Sequence, residues 1–161
     1  MTEPLLIGSD NAGFALKQAL VQFLDARDVP YEDVGVSTQD DDRMYPLVAE
    51  RVAAEIERSG FTRKGILLCG TGIGMAIAAN KFKGIYAATC HDTFSAERAT
   101  LSNNVNVLTM GARVIGPELA KKIVVEWLSH EFVPSSSSPK VEAIQRLEEE
   151  NFKQNLSGMR K

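Results

Sequence analysis

GILLCGTGIGMAIAANK, residues 65–81, decides the fold. Residues 65–68 form a short apolar run of the kind a strand covered on both faces needs. Glycines alternate after Cys69 at positions 70, 72 and 74, and an alanine-rich helical pattern follows. Strand, glycine loop and helix in that order aim several backbone N–H groups at one point. Cys69 stands at the entrance to that loop. A thiol beside a helix N-terminus has its thiolate favoured by the partial positive charge there, which suits it to act as base or nucleophile. The same amides would hold an anion, whether a phosphate or an oxyanion formed during reaction. This loop is the expected active site.

The flanking sequence repeats the strand–helix alternation. Residues 5–9 read as a first strand, with a turn at 10–13 and a helix to about Arg27 whose face carries Phe14, Leu16, Leu20 and Phe23. A second strand is expected at 29–34, and the polar, acidic stretch 37–45 as a loop. Pro46 suits the first turn of a helix running to about Ser59, with Val48, Val52, Ala53 and Ile56 buried. After the organising strand and helix come a fourth strand at 85–90, a helix at 93–101 capped by Asp92 or Thr93, and a fifth strand at 105–110. Gly116 and Pro117 open a helix with Leu119, Ile123, Val124, Trp127 and Leu128 on its apolar face. Ser138 and Pro139 start a last helix, with Val141, Ile144 and Leu147 at helical spacing before the acidic run 148–150; residues 157–161 are expected to fray.

This pattern predicts an α/β three-layer sandwich with a five-stranded parallel, Rossmann-like sheet and right-handed crossovers. With strand order 2-1-3-4-5, strands one and three flank the crevice where ligands bind, and Asp10 and Cys69 stand at their carboxyl ends. Residues 1–134 form the α/β domain, and 135–161 a linker and C-terminal helix belonging to the same domain. That helix has no sixth strand to pack against, so it is expected to lean on a partner subunit.

The 161 residues have 44% apolar and 24% charged side chains and a net charge of −3 with both signs mixed, ordinary for one globular domain. No basic footprint for nucleic acid and no apolar run approaching the roughly 18 residues of a membrane span is present. The two cysteines, Cys69 and Cys90, lack zinc-ligand spacing, and with only two histidines a histidine-rich metal site is not expected. A reduced, cytoplasmic protein without metal or cofactor is the expectation. The glycines fail the dinucleotide fingerprint, because Met75 stands where a small residue is needed and no acidic residue closes the next strand. They also fail the P-loop pattern, since no Gly-Lys-Ser/Thr follows.

Each candidate side chain has a bland reading beside the functional one. Asp10 either caps the first helix or contacts a substrate hydroxyl, and Thr71 either shapes a turn or shuttles a proton. Asn103 and Asn104 end a helix. Arg113 pairs with a carboxylate or grips a phosphate. Cys90 is expected in the core. His91, beside Asp92, is expected to bond a backbone carbonyl rather than to form a catalytic dyad.

Taken together, GSDNAGF (8–14), DRMYP (42–46), CGTGIG (69–74), AANK (78–81) and GARVIG (111–116) resemble the type B ribose-5-phosphate isomerases and the related galactose-6-phosphate isomerases. The resemblance spans residues 5 to 150. It implies a metal-free and cofactor-free aldose–ketose isomerase of a sugar phosphate, active as a homodimer with sites shared between subunits; pairing of dimers into tetramers stays open. It implies Cys69 as the base between C1 and C2, with Thr71 assisting and Asp10, Tyr45 and Asn103 on sugar hydroxyls or reacting oxygens. Asn11 and the amides of Gly70, Gly72 and Gly74 would also contact substrate. Arg113 would hold the phosphate from the partner subunit, joined by Lys140.

Three departures matter. Asn11 replaces a histidine, Ser102 replaces the histidine assigned to ring opening, and Ser136 and Lys140 stand where two phosphate-binding arginines are typical. Serine is no acid–base catalyst at neutral pH. Either ring opening is slow, or the substrate has no ring to open; a four-carbon sugar phosphate such as erythrulose 4-phosphate meets the second condition, with ribose 5-phosphate as the competitor. A non-catalytic sugar-phosphate-binding subunit is the alternative of a different class.

Overall fold

Three strands are buried along their whole length: β1 (Leu5–Ser9), β3 (Gly65–Cys69) and β5 (Val107–Gly111). Two are shorter and only partly covered, β2 (Tyr31–Asp33) and β4 (Ala87–Thr89). In the computed structural model, which describes residues 3–158 and side chains as far as residue 153, these form one parallel sheet in the order β2-β1-β3-β5-β4. The fold class is as the pattern predicts, but the strand order is not 2-1-3-4-5. The difference shows in burial: β5, buried along its whole length, takes the interior place beside β3, and the partly covered β4 closes the edge. The crevice between β1 and β3 survives this exchange.

The helices are α1 (Phe14–Asp25), α2 (Tyr45–Arg58), α3 (Ile73–Ala79), α4 (Thr93–Asn103), α5 (Pro117–Leu128) and α6 (Ser138–Gly158). Side chains alternate across the sheet, as a strand period of two requires. Ile66 and Leu68 of β3 enter one core with Leu20 of α1, Ala99 of α4 and Trp127 of α5. Leu67 and Cys69 enter the other, with Val48, Val52 and Ile56 of α2 and Met75 of α3. Each such aliphatic side chain contributes about 1.5–3 kcal/mol on burial, and both cores converge on β3.

Several details depart from expectation. On α1, Leu24 is buried and Phe23 only half so; on α5, Ala120 takes the buried place expected for Leu119, which is 38% exposed. The C-terminal helix is not free of its own chain. Val141 is buried, α6 packs on α4, and Glu148 accepts hydrogen bonds from Gly84 N–H (3.0 Å) and the Tyr86 hydroxyl (2.9 Å). Ile144 and Leu147 stay exposed. The expected fraying at 157–161 lies outside the described residues, apart from the backbone of 157 and 158, which continues α6.

Close approach fixes the turn after β1. A Cβ on Gly13 would lie 2.5 Å from the Leu68 carbonyl oxygen, so the turn and β3 fit only with glycine there. Gly13→Ala should therefore lose about 1–3 kcal/mol from overpacking against rigid backbone. Urea denaturation will show this as a lower midpoint at unchanged slope; an unchanged midpoint would contradict the fit.

Candidate active site

The site grows from the carboxyl end of β3. Cys69 is 5% exposed, and its Sγ accepts the Gly72 N–H at 3.1 Å. Gly72 reaches that position with φ +77°, the left-handed region that favours glycine, and a Cβ there would sit 2.9 Å from Met110 backbone carbon. Its carbonyl is gripped from behind by the hydroxyls of Thr109 (2.9 Å) and Thr89 (3.3 Å). Among the described residues, no acceptor faces the N–H groups of Gly70, Thr71 or Gly74. A sulfur and several unpaired main-chain donors thus share one loop.

Neighbouring elements press onto this loop. Tyr45, the first residue of α2, lays its ring where a Cβ on Gly74 would stand, 2.7 Å away. Arg113 donates its backbone N–H to the Gly70 carbonyl at 3.0 Å, and its guanidinium lies 3.2 Å from the position of a Gly70 Cβ. Within one chain this arginine therefore covers its own loop. Across the crevice, Asp10 donates its N–H to the Leu68 carbonyl (3.3 Å) and accepts the Gly13 N–H on Oδ1 (2.9 Å); Oδ2 has no partner among the described residues. Asn11 is exposed, and its carbonyl accepts from the Gln39 side chain at 2.6 Å, which ties the 37–44 loop to the crevice. Thr71 is exposed, with its hydroxyl 3.4 Å from the Ile73 N–H.

His91 corrects one expectation. Its Nε2 accepts the Gly111 N–H at 2.8 Å rather than bonding a carbonyl, which leaves the other ring nitrogen as the donor. Asp92 is occupied elsewhere: it caps α4, taking the Ser95 N–H (2.7 Å) and the Ser95 hydroxyl (2.6 Å), bonds that hold its carboxyl below the usual range. A His91–Asp92 dyad is therefore not formed.

The chain matches the family described as Ribose/Galactose Isomerase over residues 5–144. It is 51% identical over 140 residues to D-erythrulose-4-phosphate isomerase 2 of Mycolicibacterium smegmatis, covering 86% of this chain and 91% of that one. It is 44% identical over 147 residues to Ribose-5-P isomerase B of Listeria innocua, covering 91% and 98%. The ribose-5-phosphate isomerase B structure from Clostridium thermocellum superposes with a TM-score of 0.87 at 35% identity, covering 92% of this chain and 99% of that one. The chain belongs to the Ribose/Galactose Isomerase family.

Within a single chain, the fold assembles Asp10, Tyr45, Cys69, Thr71, Arg113 and the glycine amides of this loop. It does not bring Asn103 or Lys140 to them. Asn103 ends α4 and lines a separate cavity of about 440 Å³ with Arg98, Ser95 and Thr89. Lys140 is exposed in the first turn of α6. One feature went unread in the sequence: Ser102 accepts hydrogen bonds from both Nε and a terminal nitrogen of Arg98. Their spacing of four residues on a helix was the available signal. Among the described residues, one group of potential metal ligands lies outside the loop, where Glu97, Glu126 and His130 place ligand atoms within 4.8 Å of one another. His130 is bonded to Glu126 at 2.8 Å, and Glu97 pairs with Arg98 at 3.0 Å.

The second thiol offers a pH test. Burial, with the Asp92 carboxylate adding to it, pushes Cys90 up to about 11. An acid raised in the folded state leaves the fold intact at neutral pH and removes stability once the unfolded thiol, near about 8.5, begins to ionise. Between pH 9 and about 11, the wild type should lose on the order of 2 kcal/mol that Cys90→Ala retains. Denaturant melts of both proteins across that range check this; parallel curves would contradict it.

Proposed function

We propose that this isomerase interconverts the ketose and aldose forms of a phosphorylated tetrose, erythrulose 4-phosphate to erythrose 4-phosphate, with Cys69 as base. The observation that carries the reaction type is the Cys69 sulfur facing the Gly72 N–H beside unpaired donors. Cys69 takes a proton from C1 of the ketose, and the electron pair moves onto the C2 oxygen to give an enediolate. The proton returns at C2 as the C1 hydroxyl loses its own and becomes the aldehyde. Thr71 carries a proton between the two oxygens, and the Gly70–Gly74 amides hold the negative charge, each such donor lowering the barrier by on the order of 3 kcal/mol. Asp10, Asn11 and Tyr45 contact the sugar, and Arg113 its phosphate.

Ser102 points to the substrate. A pentose 5-phosphate closes into a furanose through its 4-hydroxyl and must be opened by acid–base chemistry. In a tetrose 4-phosphate that oxygen carries the phosphate, so no such ring forms and no imidazole is needed. The name of the Mycolicibacterium smegmatis relative supports this choice; that of the Listeria innocua relative supports ribose 5-phosphate.

The complete site is formed by two copies of the chain, with Asn103 and Lys140 supplied by the partner. Support comes from α3, whose outward Ile73 and Ile77, one turn apart, are 57% and 58% exposed beside the catalytic loop. The two free thiols fit a reducing cytoplasm. Among the described residues, no helix is long and apolar enough to cross a membrane.

Steady-state kinetics on both sugars decide the substrate. The expected result is a kcat/KM for erythrulose 4-phosphate at least about tenfold above that for ribose 5-phosphate, with Ser102→His raising only the latter. A preference of the native enzyme for ribose 5-phosphate, or an equal effect of the substitution on both sugars, would overturn the tetrose reading.

A further inference from the structure

We propose that Arg98 is a phosphate-binding residue of this site, oriented by Ser102, and that the pair does the work of the arginines absent at positions 136 and 140. The inference rests on the reading above, in which the 102–103 end of α4 in one copy completes the site of another.

Arg98 Nε and one terminal nitrogen donate to Ser102 Oγ at 3.1 and 2.7 Å, and the other terminal nitrogen to Glu97 at 3.0 Å. A guanidinium has five N–H groups in a rigid plane, so one N–H on each terminal nitrogen remains. A cation held in place with an N–H left on each terminal nitrogen can donate to phosphate oxygens. The ion pair with Glu97 joins two side chains 41% and 33% exposed, and pairs of that kind contribute little to stability. Stability therefore gives no strong reason for a doubly bonded guanidinium at this place.

Position supplies the reason. Arg98 lines the same cavity as Asn103, and the wall of that cavity includes Thr89, whose hydroxyl donates to the Gly72 carbonyl at 3.3 Å. A cation beside residue 103 stands next to the residue expected on the reacting oxygens. A tetrose phosphate carries its phosphate one carbon nearer those oxygens than a pentose phosphate does. Such a substrate needs its cation closer in, and α4 provides one where the start of α6 has Ser136 and Lys140. A histidine at 102 would replace the small hydroxyl on which the arginine rests. Ser102 is thus a positioning residue for the guanidinium.

Full-length Arg98→Met and Arg98→Lys test this, with inorganic phosphate as the probe in calorimetry and erythrulose 4-phosphate and ribose 5-phosphate as substrates. Because the phosphate is bound equally before and during reaction, Arg98→Met should raise KM for erythrulose 4-phosphate and Kd for phosphate by about tenfold with kcat little changed. Arg98→Lys, which keeps charge but not the fork, should fall between, and Ser102→Ala should raise KM by about threefold without lowering kcat. Unchanged KM and phosphate Kd in a folded Arg98→Met protein, or a loss confined to kcat, would overturn the proposal. The phosphate titration judges Arg98 whichever sugar the native enzyme prefers. A wild type that prefers ribose 5-phosphate sinks the tetrose reading alone, whereas unaltered phosphate binding in Arg98→Met sinks the arginine alone.

Discussion

One hydrogen bond, from the Gly72 N–H to the Cys69 sulfur, constrains the rest of the molecule. It exists because Gly72 adopts a left-handed backbone that no side chain would fit against Met110. The carbonyl of the same residue is pinned by Thr109 of β5 and Thr89 of β4. The sheet order is therefore part of the site: β5 lies directly beside β3, which lets Thr109 reach under the loop and Gly111 meet Thr71. Were β4 the neighbour of β3, that clamp would come from different residues. Tyr45 over Gly74 and Arg113 over Gly70 close the loop from outside, each possible because the glycine beneath has no side chain.

Much of this was legible in the sequence, for physical reasons. A continuous apolar run before alternating glycines identifies a two-face-buried strand feeding a helix, and β3 and α3 are found there. Asp10 and Cys69 were placed at one crevice by topology alone, and the Leu68 carbonyl joins the two strand ends. The order of β4 and β5 was not legible, because residues 85–90 are as apolar as 105–110 and local pattern does not say which strand is interior. Asn103 illustrates a second limit: spacing assigns it to a helix end but not to a cavity. His91 illustrates a third, since a ring nitrogen serves a backbone donor as readily as a carbonyl, and only the approach of Gly111 decides.

Family membership and local chemistry then divide the work. The family match over residues 5–144 takes in the loop, its cysteine and α2. Asn103 on α4 and Lys140 at the start of α6 are not among the residues that one chain gathers at the Cys69 loop. On α4, Ser102 holds the Arg98 guanidinium through two hydrogen bonds.

The most direct test of the central claim follows the proton. With erythrulose 4-phosphate carrying deuterium at C1, the wild-type enzyme should wash the label into water during turnover. Cys69→Ala should bind the sugar phosphate with similar affinity and release the label at least about a thousandfold more slowly. Label release by Cys69→Ala at the wild-type rate would show that another group removes the proton, and the sulfur facing Gly72 would lose its role.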